Sequence, residues 1–391
     1  MRKTMLIMLS LIMSVSAIAA SFEEDGISYD ILSDEEHTVE VVNNNSAYVG
    51  DVVIPARVQH EGVMYTVAAI HFQAFFKCTQ LYSVSIPETV TDMGRYSFTQ
   101  CTSLEEVTLP KNAAVIPDGM FWGCTSLKGV ALPSGVTEIG DYAFANCSAL
   151  QDINLPAGLT FIGKAALMGT AITSFTLPQG VTELSPYLLA LTTKLSSVTL
   201  HDKLSVIGEC AFQGNTLLTT VSIPQSVTTI EASAFAQCPL LESMTIPSGV
   251  TSLPEKCFYN DMALKRIVIG KGVTAIGADC FARYKNTTAS PRLEDVYLCA
   301  GAVVSGGESF LDEACANATL HVPAALTEAY KAQPGWQRFN IVAISDGELS
   351  AINSVKADRH TDMQTYTVGG SRCQASQRGI VIRDGKKFMN N

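Results

Sequence analysis

The sequence predicts a repeat solenoid: about ten coils of roughly 23 residues, stacked into one elongated body. Three observations carry this. A phrase recurs as CTSLEEVTLP at 101–110, CTSLKGVALP at 124–133 and CSALQDINLP at 147–156, each copy one identical step after the last. An apolar residue followed by proline keeps the same phase at Ile86-Pro87, Leu109-Pro110, Leu132-Pro133, Leu155-Pro156, Leu177-Pro178, Ile223-Pro224 and Ile246-Pro247, with His201 and Gly270 standing for proline in two copies. An aromatic recurs at Phe75, Phe98, Phe121, Phe144, Phe212, Phe235, Phe258 and Phe281, with Leu167 and Leu189 in the gap.

Within one coil, Leu104, Val107 and Leu109 follow an L-x-x-L-x-L spacing whose last two members fall on one face of a short strand. That face is expected to look inward. Pro110 has no amide hydrogen, cannot extend a strand ladder, and marks where the chain turns away. Val136, Ile139, Phe144 and Cys147 fill the other half of a coil. One coil cannot bury these groups alone; stacked coils share them, with strands in parallel about 4.8 Å apart, so the stack reaches roughly 50 Å.

The ends depart from the period. Residues 1–20 combine Arg2 and Lys3, an apolar run from Met5 to Met13 and a small-residue end at Ala19-Ala20, the pattern of a removed export signal. Residues 21–67 alternate as strands do and are expected to form an N-terminal β cap; the solenoid then spans 68–319. Residues 320–344 read as a strand and short helix with Trp336 and Phe339 buried, a C-terminal cap. A polar linker at 345–360 leads to a β module at 361–391, with a hairpin turn at Asp384-Gly385.

Composition removes several function classes. A net charge of -11 with 16% charged residues makes nucleic acid a poor partner. No stretch after the export signal is apolar for long enough to span a bilayer, so the mature chain is expected to be soluble and outside the cytoplasm. The six histidines are scattered singly, and no H-E-x-x-H, G-x-S-x-G or phosphate-cradling glycine motif occurs. The chain is therefore read as no enzyme, with no cofactor and no metal site. Five of eleven cysteines, Cys78, Cys101, Cys124, Cys147 and Cys238, share one repeat position. Their spacing permits bridges between adjacent coils, yet the pattern favours reduced, buried packing residues. Cys210, Cys257 and Cys280 read as the same kind of filler, whereas Cys299, Cys315 and Cys373 lie outside the regular coils, Cys373 being the expected exposed thiol.

The pattern C-x-x-L-x-x-V-x-L-P-x-x-V-T-x-I-G-x-x-A-F closely resembles the BspA-like (Treponema-type) leucine-rich repeat of bacterial surface proteins, over about residues 50–300. The resemblance implies a parallel β-sheet on one face, an irregular or short helical convex side, and a role as a secreted or cell-surface antigen or adhesin. The tail TYTVGGSR and GIVIRDGKKFMNN is similar to the C-terminal module of exported Bacteroidetes proteins, which implies a secretion or sorting signal.

The outward strand positions form a hydroxyl-rich stripe: Thr108, Asn154, Thr176, Thr199, Ser222 and Thr245, ending in Val268 and Tyr297. Small hydroxyls suit exposed strands in any case, so the stripe reads equally as strand chemistry. Near its end, Lys265 and Arg266 are expected beside Glu294, Asp295 and Tyr297, a mixed patch containing residue types that anchor interfaces. The same charges also read as cross-strand pairing. Taken together, the expected function is binding of a protein or glycan at the cell surface. A structural envelope protein without a ligand and a glycan-handling accessory protein are the other readings.

Overall fold

A computed structural model describes residues 21–284 and 291–345, together with the backbone of the strands Tyr366–Thr367, Gly379–Arg383 and Lys386–Asn390. The expected export signal, the linker after Ser345, Cys373 and the turn at Asp384-Gly385 lie outside the described residues.

A regular coil contributes two short parallel pairings and one tight turn. Ser83, Val84 and Ser85 pair with Glu106, Val107 and Thr108, so the register is one coil. Val84 and Val107 face the core while Thr108 is exposed, as the alternation of a strand requires. Further along each coil, Val115–Ile116, Glu138–Ile139 and Phe161–Ile162 form a second ladder that buries Ile116, Ile139 and Ile162.

The remaining half of each coil is a run of turns, with no helix in the regular coils among the described residues. Left-handed backbone recurs twice per turn, at Tyr96 and Gln100 and again at Tyr142 and Asn146. Glycine takes both positions in the coil between them, at Gly119 and Gly123, where the missing Cβ removes the steric cost. The turns bond to one another along the stack: Phe98 N–H donates to the Met120 carbonyl at 2.9 Å, Phe121 N–H to Ala143 at 2.8 Å and Phe144 N–H to Ala166 at 2.9 Å. Backbone polar groups are thus satisfied between coils.

The strand-face ladder is interrupted. Gly129–Ala131 and Asp152–Asn154 occupy the strand position without pairing as strands, and Thr220–Ser222 makes only an isolated bridge from Thr220 to Ser243. Glycine, aspartate and asparagine are poor strand residues, which accounts for the first two breaks; the Thr-Val-Ser sequence of the third does not explain it. Beyond the second break, Ser174–Thr176 pairs with Ser197–Thr199, and Ser243–Ile246 opens a parallel sheet that continues through Arg266–Ile269, Asp295–Leu298, Thr319–Pro323 and Asn340–Ile344.

The core is one contiguous cluster along the stack. Phenylalanine rings pile face to face at its centre, with centroids 4.8 Å apart for Phe75 and Phe98, 5.7 Å for Phe98 and Phe121, and 5.4 Å for Phe121 and Phe144. A second pile runs Phe212, Phe235, Phe258, Phe281 and Phe310. Tyr48 packs on the first ring, and Trp336 and Phe339 pack on the last. Residues 21–70 supply a largely antiparallel sheet before the coils, although Val49–Val53 leaves it to pair in parallel with Gln80–Ser85. At the other end lie the α-helices Asp312–Asn317 and Thr327–Lys331.

The five in-phase cysteines are free and fully buried. They do more than fill space: the Cys101 thiol donates to the Phe75 carbonyl at 2.9 Å, Cys124 to Phe98 at 3.0 Å, Cys147 to Phe121 at 3.1 Å and Cys238 to Phe212 at 3.2 Å. Each ties its coil to the one before. Burial pushes the Cys78 thiol up to about 11 and the other four higher still. Because the thiolate is the reactive species, native protein should show none of these five thiols reacting with a disulfide reagent at pH 8, and all five should react in denaturant. Mass mapping that finds native labelling or bridges at these positions would contradict this packing role.

Candidate functional site

The patch expected at the end of the stripe assembles on the sheet from Ser243–Ile246 to Asn340–Ile344. In the parallel register Arg266 lies opposite Asp295, Val268 opposite Tyr297, and Tyr297 opposite His321. Period-two alternation sends Leu320 and Val322 into the core and leaves Arg266, Tyr297 and His321 on the outer face.

These side chains form a stack. The Arg266 guanidinium sits 4.7 Å from the Tyr297 ring centroid, and the other partner of that ring is the His321 imidazole, 4.1 Å away and within 5° of coplanar. His321 Nε2 is 2.6 Å from Asp295 Oδ1. A cation, an aromatic ring, an imidazole and a carboxylate are thereby fixed in one row on rigid strands. The Tyr297 faces are engaged by these neighbours, so the patch presents edges and polar groups, not an open aromatic platform.

The other expected members are placed differently. Lys265 turns back to the preceding coil, its Nζ 3.1 Å from Glu242 Oε1, and Lys128 pairs with Glu105 across one repeat step in the same way. Glu294 is exposed, and its carbonyl accepts the Thr319 N–H. Thr176 and Thr199 stand directly opposite each other. Thr108, Asn154, Ser222 and Thr245 are exposed, but Asn154 lies in one of the breaks, so the stripe is not a continuous ladder.

His321 was not among the residues picked out from the sequence. A signal for it exists: Leu320, Val322 and Pro323 repeat the apolar-x-apolar-Pro phrase and put His321 at the stripe position. Among the described residues no group of three or more His, Cys, Asp or Glu could hold a metal ion, and no helix is long and apolar enough to cross a membrane.

The family model of the BspA type leucine rich repeat region matches residues 68–192 and 190–290, in six copies. The chain belongs to the BspA-type leucine-rich repeat family. Solved structures similar to this BspA-type chain include the pneumococcal vaccine antigen PcpA, 17% identical with a TM-score of 0.52, the alignment covering 84% of this chain and 99% of that one. A leucine-rich repeat protein from Bacteroides ovatus is 22% identical over 83% of this chain and 100% of its own, with a TM-score of 0.48. The T. pallidum leucine-rich repeat protein is 25% identical over 57% of this chain and 91% of its own, with a TM-score of 0.43. The likeness to PcpA is one of fold. No curated protein matches the chain.

Proposed function

We propose that this BspA-type protein is an exported, non-catalytic, adhesin-like binding protein that takes a protein ligand on the C-terminal end of its strand face. The observation that carries this is the Arg266, Tyr297, His321 and Asp295 row, set on paired strands where most of the stripe elsewhere offers only small hydroxyls. Tyrosine and arginine supply large contact area and directional hydrogen bonds at modest entropic cost, whereas serine and threonine offer little desolvated surface. With the Tyr297 faces engaged, a protein surface with complementary charge fits better than a sugar ring.

In this reading about ten coils, spanning 68–319, form a rigid spacer between a β cap at 21–67 and a cap at 320–344, and the hydroxyl stripe is ordinary strand chemistry. The linker at 345–360 and the module at 361–391 serve export. The surface-protein family supports placement outside the cell.

The test is binding of the purified mature chain to immobilised extracellular matrix proteins. Tyr297→Ala and Arg266→Ala should each weaken saturable binding by at least about 1–2 kcal/mol, while Thr176→Ala and Thr199→Ala change it little. Loss of binding in the mid-sheet variants with Tyr297→Ala intact would remove this end of the sheet as the site.

A further inference from the structure

A second set of aromatic side chains stands half a coil away from the strands, on the outside of the turns. Phe72, Tyr96, Trp122 and Tyr142 follow one another along four coils with ring centroids 5.9, 6.5 and 5.9 Å apart. Phe72 is 49% exposed and Trp122 37%, and both tyrosines are half-buried. None belongs to the buried phenylalanine pile, which is complete without them.

The core does not require such a row, since Phe72 and Trp122 keep more than a third of their surface in water. The backbone has instead made room for it. A Cβ at Gly119 would stand 2.2 Å from Tyr96 Cδ1, so the Tyr96 ring lies where the next coil's side chain would be and reaches toward Trp122. The polar tips are uncommitted: among the described residues neither the Trp122 indole N–H nor the Tyr96 and Tyr142 hydroxyls make a hydrogen bond, in contrast to Trp336, whose Nε1–H donates to the Val304 carbonyl at 2.8 Å. Beside Tyr96, the Arg95 charge is paired, its Nε lying 3.4 Å from Asp118 Oδ2, and the Asp92 and Asp141 carboxylates accept the backbone N–H groups of Gly94 and Lys164.

We propose that this ridge binds an extended, neutral, β-linked polysaccharide running along the solenoid axis. Pyranose rings present apolar C–H faces that stack on aromatic rings and equatorial hydroxyls that pair with the free N–H and O–H tips. Rings tilted by 34° to 78° from one coil to the next form a twisted track, which suits a chain that turns as it extends. The site is separate from the sheet patch and stands or falls without it.

Trp122 is one of only two tryptophans, and Trp336 is buried, so emission quenchable by iodide reports the ridge directly. Xylan, laminarin and hydroxyethylcellulose serve as probes, by iodide quenching and by retardation in native gels cast with each polymer. At least one polymer should shield Trp122 saturably and retard the protein. Trp122→Ala and Tyr96→Ala, verified as folded by their unfolding transitions, should lose that retardation by about tenfold or more, and Tyr297→Ala should keep it. The inference is overturned if none of the three polymers shields or retards the protein, if Trp122→Ala is retarded as strongly as the parent, or if Tyr297→Ala abolishes the retardation. It is equally overturned if a protein ligand, and no polymer, shields Trp122.

Discussion

Replacing Phe144 by alanine should lower the free energy of unfolding by about 3–5 kcal/mol. The ring is fully buried, stacked on Phe121 at 5.4 Å, with fully buried Leu167 holding the same position in the next coil. Truncation removes the transfer energy of the ring and leaves a void whose walls cannot close. The coils on either side are held at fixed spacing, by the Phe121 N–H to Ala143 and Phe144 N–H to Ala166 bonds in the turns and by the Glu138–Ile139 pairing with both neighbours. Closing the void would break those bonds, so the cavity term is felt nearly in full. Because neighbouring coils supply most of each other's stability in a stacked array, the loss also lowers the cooperativity between residues 21–143 and the rest. Denaturant melts of parent and Phe144→Ala should therefore differ in midpoint and in slope. A loss below about 1 kcal/mol would contradict a core role for Phe144.

What the sequence made legible was whatever repeats. The inward residues of the short strands, the phenylalanine pile and the cysteine position all recur at the same step along the chain, and a period reports a shared environment directly. What escaped depends on side chains that leave the period. Tyr96 and Tyr142 share a turn position, but Phe72 and Trp122 fall out of phase with them, and the four converge only because long rings reach across coils. His321 comes after the lengthened coil between Gly270 and Cys299, where the period no longer predicts register, and only the strand pairing reveals that it faces Tyr297. The convex side was open to irregular or short helical structure; two left-handed positions per turn, filled by Gly119 and Gly123 in one coil, settle it as turns. Those positions are hard to read because tyrosine, glutamine and asparagine fill them elsewhere.

The cysteine position also hides an exception, and it leads to the second large effect. In most other coils that residue ties itself to a carbonyl of the coil before, whether it is Cys101, Cys238 or Asn215, whose Nδ2 reaches the Leu189 carbonyl at 3.1 Å, although the Thr170 hydroxyl turns to Leu167 in its own coil. One coil after Cys238 the position holds Asp261. Its Oδ1 accepts the Cys238 N–H at 2.7 Å, but Oδ2 is buried without a partner, and among the described residues no donor reaches the Phe235 carbonyl that the repeat would offer it. Burial drives the Asp261 carboxyl well above the usual carboxylate range. A protonated Oδ2 could donate to Phe235 as a thiol does; an ionised one cannot. With its folded pKa raised, the native state holds a proton that the unfolded chain releases above about pH 3.9, so the contribution of Asp261 to stability is fully present below that pH and is lost as pH rises toward the folded pKa. Asparagine supplies the N–H permanently and keeps the acceptor for Cys238. Asp261→Asn should therefore stabilise the protein by about 1–3 kcal/mol at pH 7, where the parent must either take up a proton or leave Oδ2 buried and unsatisfied, and the advantage should shrink toward zero near pH 3.5. Parallel denaturant melts of parent and variant across that range test it, since every other carboxylate cancels in the difference. An advantage that does not change with pH, or an Asp261→Asn protein less stable than its parent at pH 7, would mean that the carboxylate is satisfied by some other route and that its place in the ladder is not a site of strain.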